Sequence, residues 1–266
     1  MSEQQDPRAE ILAALREEVE NRPPRIGVIG VSGTGKSSTI NTLFRTDLAT
    51  SDTVAQTKEF EDVALSVRFN ADGDTGADPG DDRPHVRLRV VDAPGLGEDV
   101  ALDGAYLDLY RKNLPACDVV LWVTAARNRA IALDQMYLEQ LREFHDRMVF
   151  GVNQLDLVEP MDWRPAYNVP SRAQEDNIKE IEADRAAHLA AVLGRDPVVI
   201  GYSSRRGYRM EHLFKAILDA CPEDRRWIYA GLKNFSHLDF LPLETRNKPI
   251  FRATQRLAKI LNAPKH

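Results

Sequence analysis

Residues 30–37 read GVSGTGKS, and no other stretch constrains the fold so tightly. An apolar run, residues 25–30, stops at Gly30, and an apolar-periodic segment follows Lys36-Ser37. Glycines at 30, 33 and 35 remove the Cβ atoms that would keep a phosphate away from the backbone, and they permit dihedrals that turn successive N–H groups inward. The helix that follows adds its partial positive N-terminus. A strand, this spacing, a lysine and a helix in register make a phosphate loop. Ser32, Gly33, Thr34 and Gly35 form its cradle. Lys36 is expected to reach the β- and γ-phosphates, Ser37 to give its hydroxyl to Mg²⁺, and Ser38 to contact the α-phosphate.

The 266 residues divide into three parts. Residues 1–24 carry a capped amphipathic helix with Ile11, Leu12, Leu15 and Val19 on one stripe, ended by Pro23-Pro24. Residues 25–221 alternate strand-like runs (25–30, 62–69, 86–92, 118–124, 147–153, 197–203) with helical patterns (36–45, 101–113, 130–146, 174–193, 209–220). That alternation predicts an α/β fold of three layers around a mostly parallel, six-stranded sheet. Residues 62–69 and 86–92 have no helix between them, so one edge strand is expected to be antiparallel. Residues 222–266 differ in composition, with nine basic and four acidic side chains, and read as a helical extension. The net charge of −6 argues against a surface coated for nucleic acid. Cys117 and Cys221 have no metal or redox spacing. The start is polar and acidic, no apolar run has membrane-spanning length, and the expected location is the cytoplasm.

Three further segments end strands. In VVDAPGLG, Asp92 can hold Mg²⁺ through water and Gly95 can offer its N–H to a γ-phosphate. In GVNQLD, Asp156 can accept hydrogen bonds from N1–H and the exocyclic amine of guanine, which adenine does not present together. Asn153 can bond the N7 edge. In GYSSRRG, Ser203 and Ser204 approach the base, the Ser204 N–H can meet O6, and Arg205 can cover the ring.

The order GVSGTGKS, DAPG, NQLD, SSR resembles the translation-factor class of P-loop GTPases. The resemblance points to the Era-like and septin-like branch, with its small bacterial ribosome-binding-type GTPases of genomic islands; LWVTAARNRAIALDQ, residues 121–135, carries part of it. The resemblance spans about residues 25–220. It implies GTP and GDP binding, Mg²⁺ dependence and slow hydrolysis. It also implies partnership with a protein or a second protomer across the nucleotide face, and it brings RNA or the ribosome into the range of partners. A switch threonine is expected before the second strand: Thr57 in VAQTKEF, with Thr53 as the alternative, would touch Mg²⁺ in the triphosphate state only. Lys36, Thr57 and Gly95 are the catalytic candidates.

Departures from that pattern matter. Gln154 stands where the base motif usually has lysine. Leu96 stands where many relatives have a glutamine that orients water, and Gly33 where potassium-activated relatives have asparagine. Three functions compete: a GTP-hydrolysing switch, a nucleotide-loaded assembly module with negligible turnover, and an ATPase or kinase, which NQLD opposes. Elsewhere, Trp122 reads as core, five of the six histidines (85, 145, 188, 212 and 237) as surface or satisfied, and the charged run 175–188 as a solvated helix face. In the extension, Trp227, Tyr229, Phe235 and Phe240 are expected to pack. Residues 247–262 are expected to form a helix that leaves Arg252, Arg256 and Lys259 to a partner.

Overall fold

The computed structural model describes residues 17–44, 61–68, 85–97, 100–128, 131–230 and 240–249. Six strands, β1 (Arg25–Ile29), β2 (Glu61–Arg68), β3 (His85–Asp92), β4 (Val119–Ala125), β5 (Met148–Asn153) and β8 (Val199–Gly201), form one sheet in the order β2-β3-β1-β4-β5-β8. Only β2 pairs antiparallel, along its full length with β3; the other pairs are parallel. The expected six-stranded α/β fold with an antiparallel edge is the one observed.

Parallel strands covered on both faces must be apolar throughout, and all seven residues of β4 are buried. Its alternate side chains serve two layers. Leu121 and Val123 face α1 (Lys36–Phe44) and α5 (Met210–Asp219), packing with Ile40, Leu213 and Ile217. Val120 and Trp122 face α2 (Val100–Asn113), α3 (Ile131–Gln140) and α4 (Arg172–Leu193), packing with Tyr110, Leu138 and Leu189. Trp122 is fully buried, as its apolar setting required.

The helix expected over 130–146 ends at Gln140 and gives way to a 3₁₀ stretch, Arg142–Arg147. The last strand pairs only over Val199–Gly201, followed by a bridge between Ser203 and Tyr208. A hairpin after β5, β6 (Trp163–Arg164) with β7 (Val169–Pro170), has no counterpart in the sequence expectations. Each arm is two residues long, too short for a period to register.

Several described residues after 221 belong to the main core. Ile228 and Tyr229 of α6 (Arg226–Ala230) are fully buried, and Phe240 packs on Phe214 with ring centroids 6.0 Å apart. Arg225, counted above among the basic residues of the extension, has no exposed surface. Its Nε donates to Asp118 Oδ1 at 3.1 Å and its Nη2 to the Arg22 carbonyl at 2.7 Å. Asp118 also accepts from the backbone N–H of Arg25, from Arg22 and from the Tyr229 hydroxyl. One buried carboxylate thus joins both flanks of the chain at the N-terminal end of β4. Phe235, Ile11, Leu12, Leu15 and nearly all of 247–262 lie outside the described residues.

Arg185 corrects the solvated-face expectation for 175–188. The ion pairs of Lys179 with Glu175 and Asp176 are exposed, but Arg185 is buried and its guanidinium donates to the Asn128 carbonyl. It shares a cavity with Asp134, Thr124 and His188. Burial pushes the Asp134 carboxyl up to about 6 from an ordinary 3.8, with Arg185 pulling the other way. The folded state therefore holds a proton between about pH 4 and 6 that the unfolded chain has lost, so this group's contribution to stability falls as pH rises through that window. Asp134→Asn is expected to flatten that part of the profile and to stabilise the fold at pH 7 by up to about 3 kcal/mol, two units at 1.4 each. Urea unfolding at pH 4.5 and pH 7 measures it; an unchanged pH slope would remove Asp134 as its source.

Candidate functional site

The loop leaving β1 needs its glycines for separate reasons. Gly30 has φ +139°, and a Cβ there would sit 2.2 Å from the Val123 carbonyl oxygen. Gly35 has φ +84°, and its Cβ would meet Asn153 Nδ2 at 2.5 Å. Gly33 has open space around it and is required by its φ of +74° alone. Thr34 Oγ1 and Lys36 Nζ both donate to the Val31 carbonyl, at 2.9 and 3.2 Å, which closes the loop into a ring over the first turn of α1. The first-turn N–H groups of a helix have no partner within it, so the ring frames a concave donor site for phosphate oxygens. Ser38 sits half-buried on that turn.

Ser37 Oγ donates to Asp92 Oδ2 at 2.5 Å. A hydroxyl from α1 and a buried carboxylate from the end of β3 are hard oxygen donors of the kind Mg²⁺ takes, and their juxtaposition fits that ion. Thr57 and Thr53 lie outside the described residues. Gly95 is pressed on the phosphate loop, where a Cβ would lie 2.6 Å from Ser32 Cα. The next residue, Leu96, is fully buried. Its carbonyl accepts from the Ser32 N–H at 2.9 Å and its N–H donates to the Gly30 carbonyl at 3.3 Å. It occupies core and has no group to aim at water.

The base-side segments converge on the same loop. Asn153 is buried; its Nδ2 donates to the Thr34 carbonyl at 3.0 Å and its Oδ1 accepts from the Ser204 N–H at 3.0 Å. One side chain thereby ties three loops together. Gln154 takes φ +65° and donates to the Gly33 carbonyl at 3.1 Å, so the neutral substitute still reaches the phosphate loop. The Ser203 hydroxyl donates to Asp156 Oδ1 at 2.6 Å, and the Arg206 N–H donates to the Ser203 oxygen. Arg205 is exposed beside them. Every described site residue expected from the sequence falls within this cluster.

Sequence reasoning missed the buttress behind it. Trp163 Nε1 donates to Asn168 Oδ1 at 3.1 Å, and Asn168 Nδ2 donates to the Arg206 carbonyl at 2.9 Å. Trp163 also packs edge-on against Tyr208, 5.1 Å between centroids. Gly207 admits no Cβ, which would lie 2.2 Å from the Phe240 carbonyl oxygen. A buried tryptophan six positions past NQLxL was the one available cue.

A glycine-rich loop between β1 and α1, an acidic strand end beside it and the NQLD loop hydrogen-bonded to the first have the arrangement of a P-loop domain. The profile of the 50S ribosome-binding GTPase family matches residues 25–154. Among curated relatives, the protein YkfA of Escherichia coli (strain K12) is 34% identical over 146 residues, 54% of this chain and 45% of its own. The chain spans about half the length of the curated relatives it matches first. The fold is similar to that of the chloroplast translocon components atToc33 and psToc159, with a TM-score of 0.55 and 18% identity over 83% of this chain and 93% of that one. It is also similar to Era of Aquifex aeolicus bound to GDP.AlF4-, with a TM-score of 0.51 and 17% identity over 75% and 57% of the two chains.

Proposed function

We propose that this domain binds GTP and GDP with Mg²⁺, hydrolyses GTP slowly on its own, and works as a nucleotide-controlled switch. The observation that carries this reading is Asn153, whose amide holds the phosphate loop and the SSR loop at once. Base recognition and phosphate binding are then one preorganised unit. Asp156 accepts from the guanine edge, the loop N–H groups and Lys36 take the β- and γ-phosphates, and Ser37 and Asp92 hold the metal. The ion, when bound, neutralises charge on the phosphate oxygens. Thr57, or Thr53 in its stead, would complete the metal's surroundings, and Gly95 would bind the γ-phosphate.

Slow turnover follows from Leu96, buried where a polar side chain would orient water. Charge in the transition state is then met from outside the loop, by a protein partner or a second protomer across the nucleotide face. The importance of dimerization for the GTPase activity of atToc33 and psToc159 supports the second source. An assembly module with negligible turnover is the alternative that the same leucine favours. RNA or the ribosome remains a further class of partner. No described helix is long and apolar enough to cross a membrane, and the cytoplasm is the proposed location.

Multiple-turnover phosphate release decides between switch and assembly module. We expect slow release from GTP, none from ATP, and equal rates in KCl and NaCl, because Gly33 offers no side-chain ligand to a monovalent ion. Lys36→Ala and Ser37→Asn should each weaken Mg²⁺-GTP binding about 10- to 100-fold, the loss of one charge-assisted contact, without unfolding the chain. Equal competition by ATP and GTP would overturn the assignment.

A further inference from the structure

The DAPGLG loop is held by three side chains that its motif does not include. Asp103, 7% exposed, accepts from the Gly97 N–H at 2.8 Å through Oδ1 and from the Tyr137 hydroxyl through Oδ2. The Tyr110 hydroxyl donates to the Pro94 carbonyl. Asp103 and Tyr110 are seven apart on α2 and so share one face of it, the face turned to the loop. Tyr137 comes from α3, and Gly97 is pressed there too, since a Cβ on it would lie 2.7 Å from Leu133 Cδ2.

An acid in the first turn of a helix is ordinarily explained by the helix dipole or by a capping box, whose carboxylate reaches back three residues. Asp103 reaches back six, to an N–H outside the helix, and spends its second oxygen on another helix. Its place is set by the loop. Between the two anchor points, Pro94 and Gly97, lie Gly95, against Ser32, and Leu96, paired with the phosphate loop.

We propose that Asp103 is a positioning residue: with Tyr110 and Tyr137 it latches residues 94–97 down on the phosphate loop, holding the Gly95 N–H ready for a γ-phosphate and biasing the site toward the triphosphate. This rests on the GTPase reading above. GDP makes no use of the Gly95 N–H, so the latch acts on GTP alone, and a ligand's differential contact is what shifts a two-state loop.

The test is the ratio of GTP-analogue to GDP affinity in Mg²⁺. Asp103→Ala should lower it about tenfold, within the usual range of coupling between elements, while GDP affinity holds. Asp103→Asn should restore most of it, because an amide oxygen can still accept from Gly97 and its NH₂ can donate to the tyrosine oxygen. Tyr137→Phe is the milder variant should alanine unfold the chain, and its ratio should fall in the same direction. Hydrogen exchange in the nucleotide-free protein gives an independent readout: the Gly97 amide should exchange faster in Asp103→Ala, with strand amides unchanged. An unaltered ratio, or GTP and GDP affinities falling together with stability, overturns the latch. Absence of any guanine-nucleotide binding by the unaltered chain overturns the function reading first, whatever the exchange rates show.

Discussion

Replacing Asp156 by asparagine is expected to shift the proposed guanine site toward xanthine. In that proposal the carboxylate meets two donors on guanine, N1–H and the exocyclic amine. Each hydrogen bond to a charged acceptor contributes about 1.5–3 kcal/mol, so GTP affinity should fall on the order of 10²–10⁴-fold. Xanthine carries a carbonyl oxygen where guanine carries the amine, and the asparagine NH₂ can donate to it. The loop itself should survive. Ser203 can donate to the new amide oxygen as it does to Asp156 now, and Asn153 keeps its bonds to Thr34 and Ser204. Competition by GTP, XTP and ATP for a fluorescent nucleotide measures the exchange. Equal losses for GTP and XTP would mean that the loop has collapsed and that Asp156 reads no base.

Arg225→Ala should cost about 3–5 kcal/mol of stability, the usual penalty for leaving one member of a buried pair uncompensated. Asp118 would keep the Tyr229 hydroxyl, the Arg25 N–H and Arg22, but the Arg22 side chain is 58% exposed and a weak substitute. Converting the pair to apolar residues together, Arg225→Met with Asp118→Leu, should recover much of the loss, because the desolvation of both charges is then avoided. Removing residues 222–266 takes away Arg225, Ile228, Tyr229 and Phe240 at one stroke and should leave no soluble, cooperatively folded domain. Chemical denaturation of the three altered chains, with nucleotide affinity measured alongside, checks this. A truncated chain that melts like the whole would show that the buried contacts of residues 222–230 contribute nothing.

The parts of the site legible in the sequence are those whose chemistry is local. A phosphate loop needs particular residue types at fixed spacing, so Gly30, Gly35, Lys36 and Ser37 declare themselves, and so do strand ends carrying Asp92 or Asn153 with Asp156. The sheet was legible for a related reason: buried parallel strands are mostly apolar, and β4 and β5 are so apart from Thr124 and Asn153 near their ends. What stayed hidden depends on partners distant in the chain. Arg225 and Asp118 are 107 residues apart, and an arginine in a basic segment carries no mark of burial. Arg185 lay in a run of alternating charges whose spacing suited an exposed helix face equally well. Asp103 resembled any acid in a first helical turn. Gln154 was noted only as a departure from the usual lysine, and nothing in the sequence showed that its amide donates to the Gly33 carbonyl.

The carboxylate at the foot of β4 also fixes an order of events during synthesis. Loops 30–38 and 92–97, the NQLD segment and the SSR loop have all been made by the time residue 205 is added, but Asp118 still lacks Arg225 and Tyr229. At about 5–20 residues per second the ribosome needs about one to five seconds more to supply them. For that interval the nascent chain owns the groups proposed to bind phosphate and base without the side chains that close its core. Nucleotide present in the cell can thus meet the chain before it is sealed, and a ligand favouring the native arrangement would hold the loops together while the last arginine arrives.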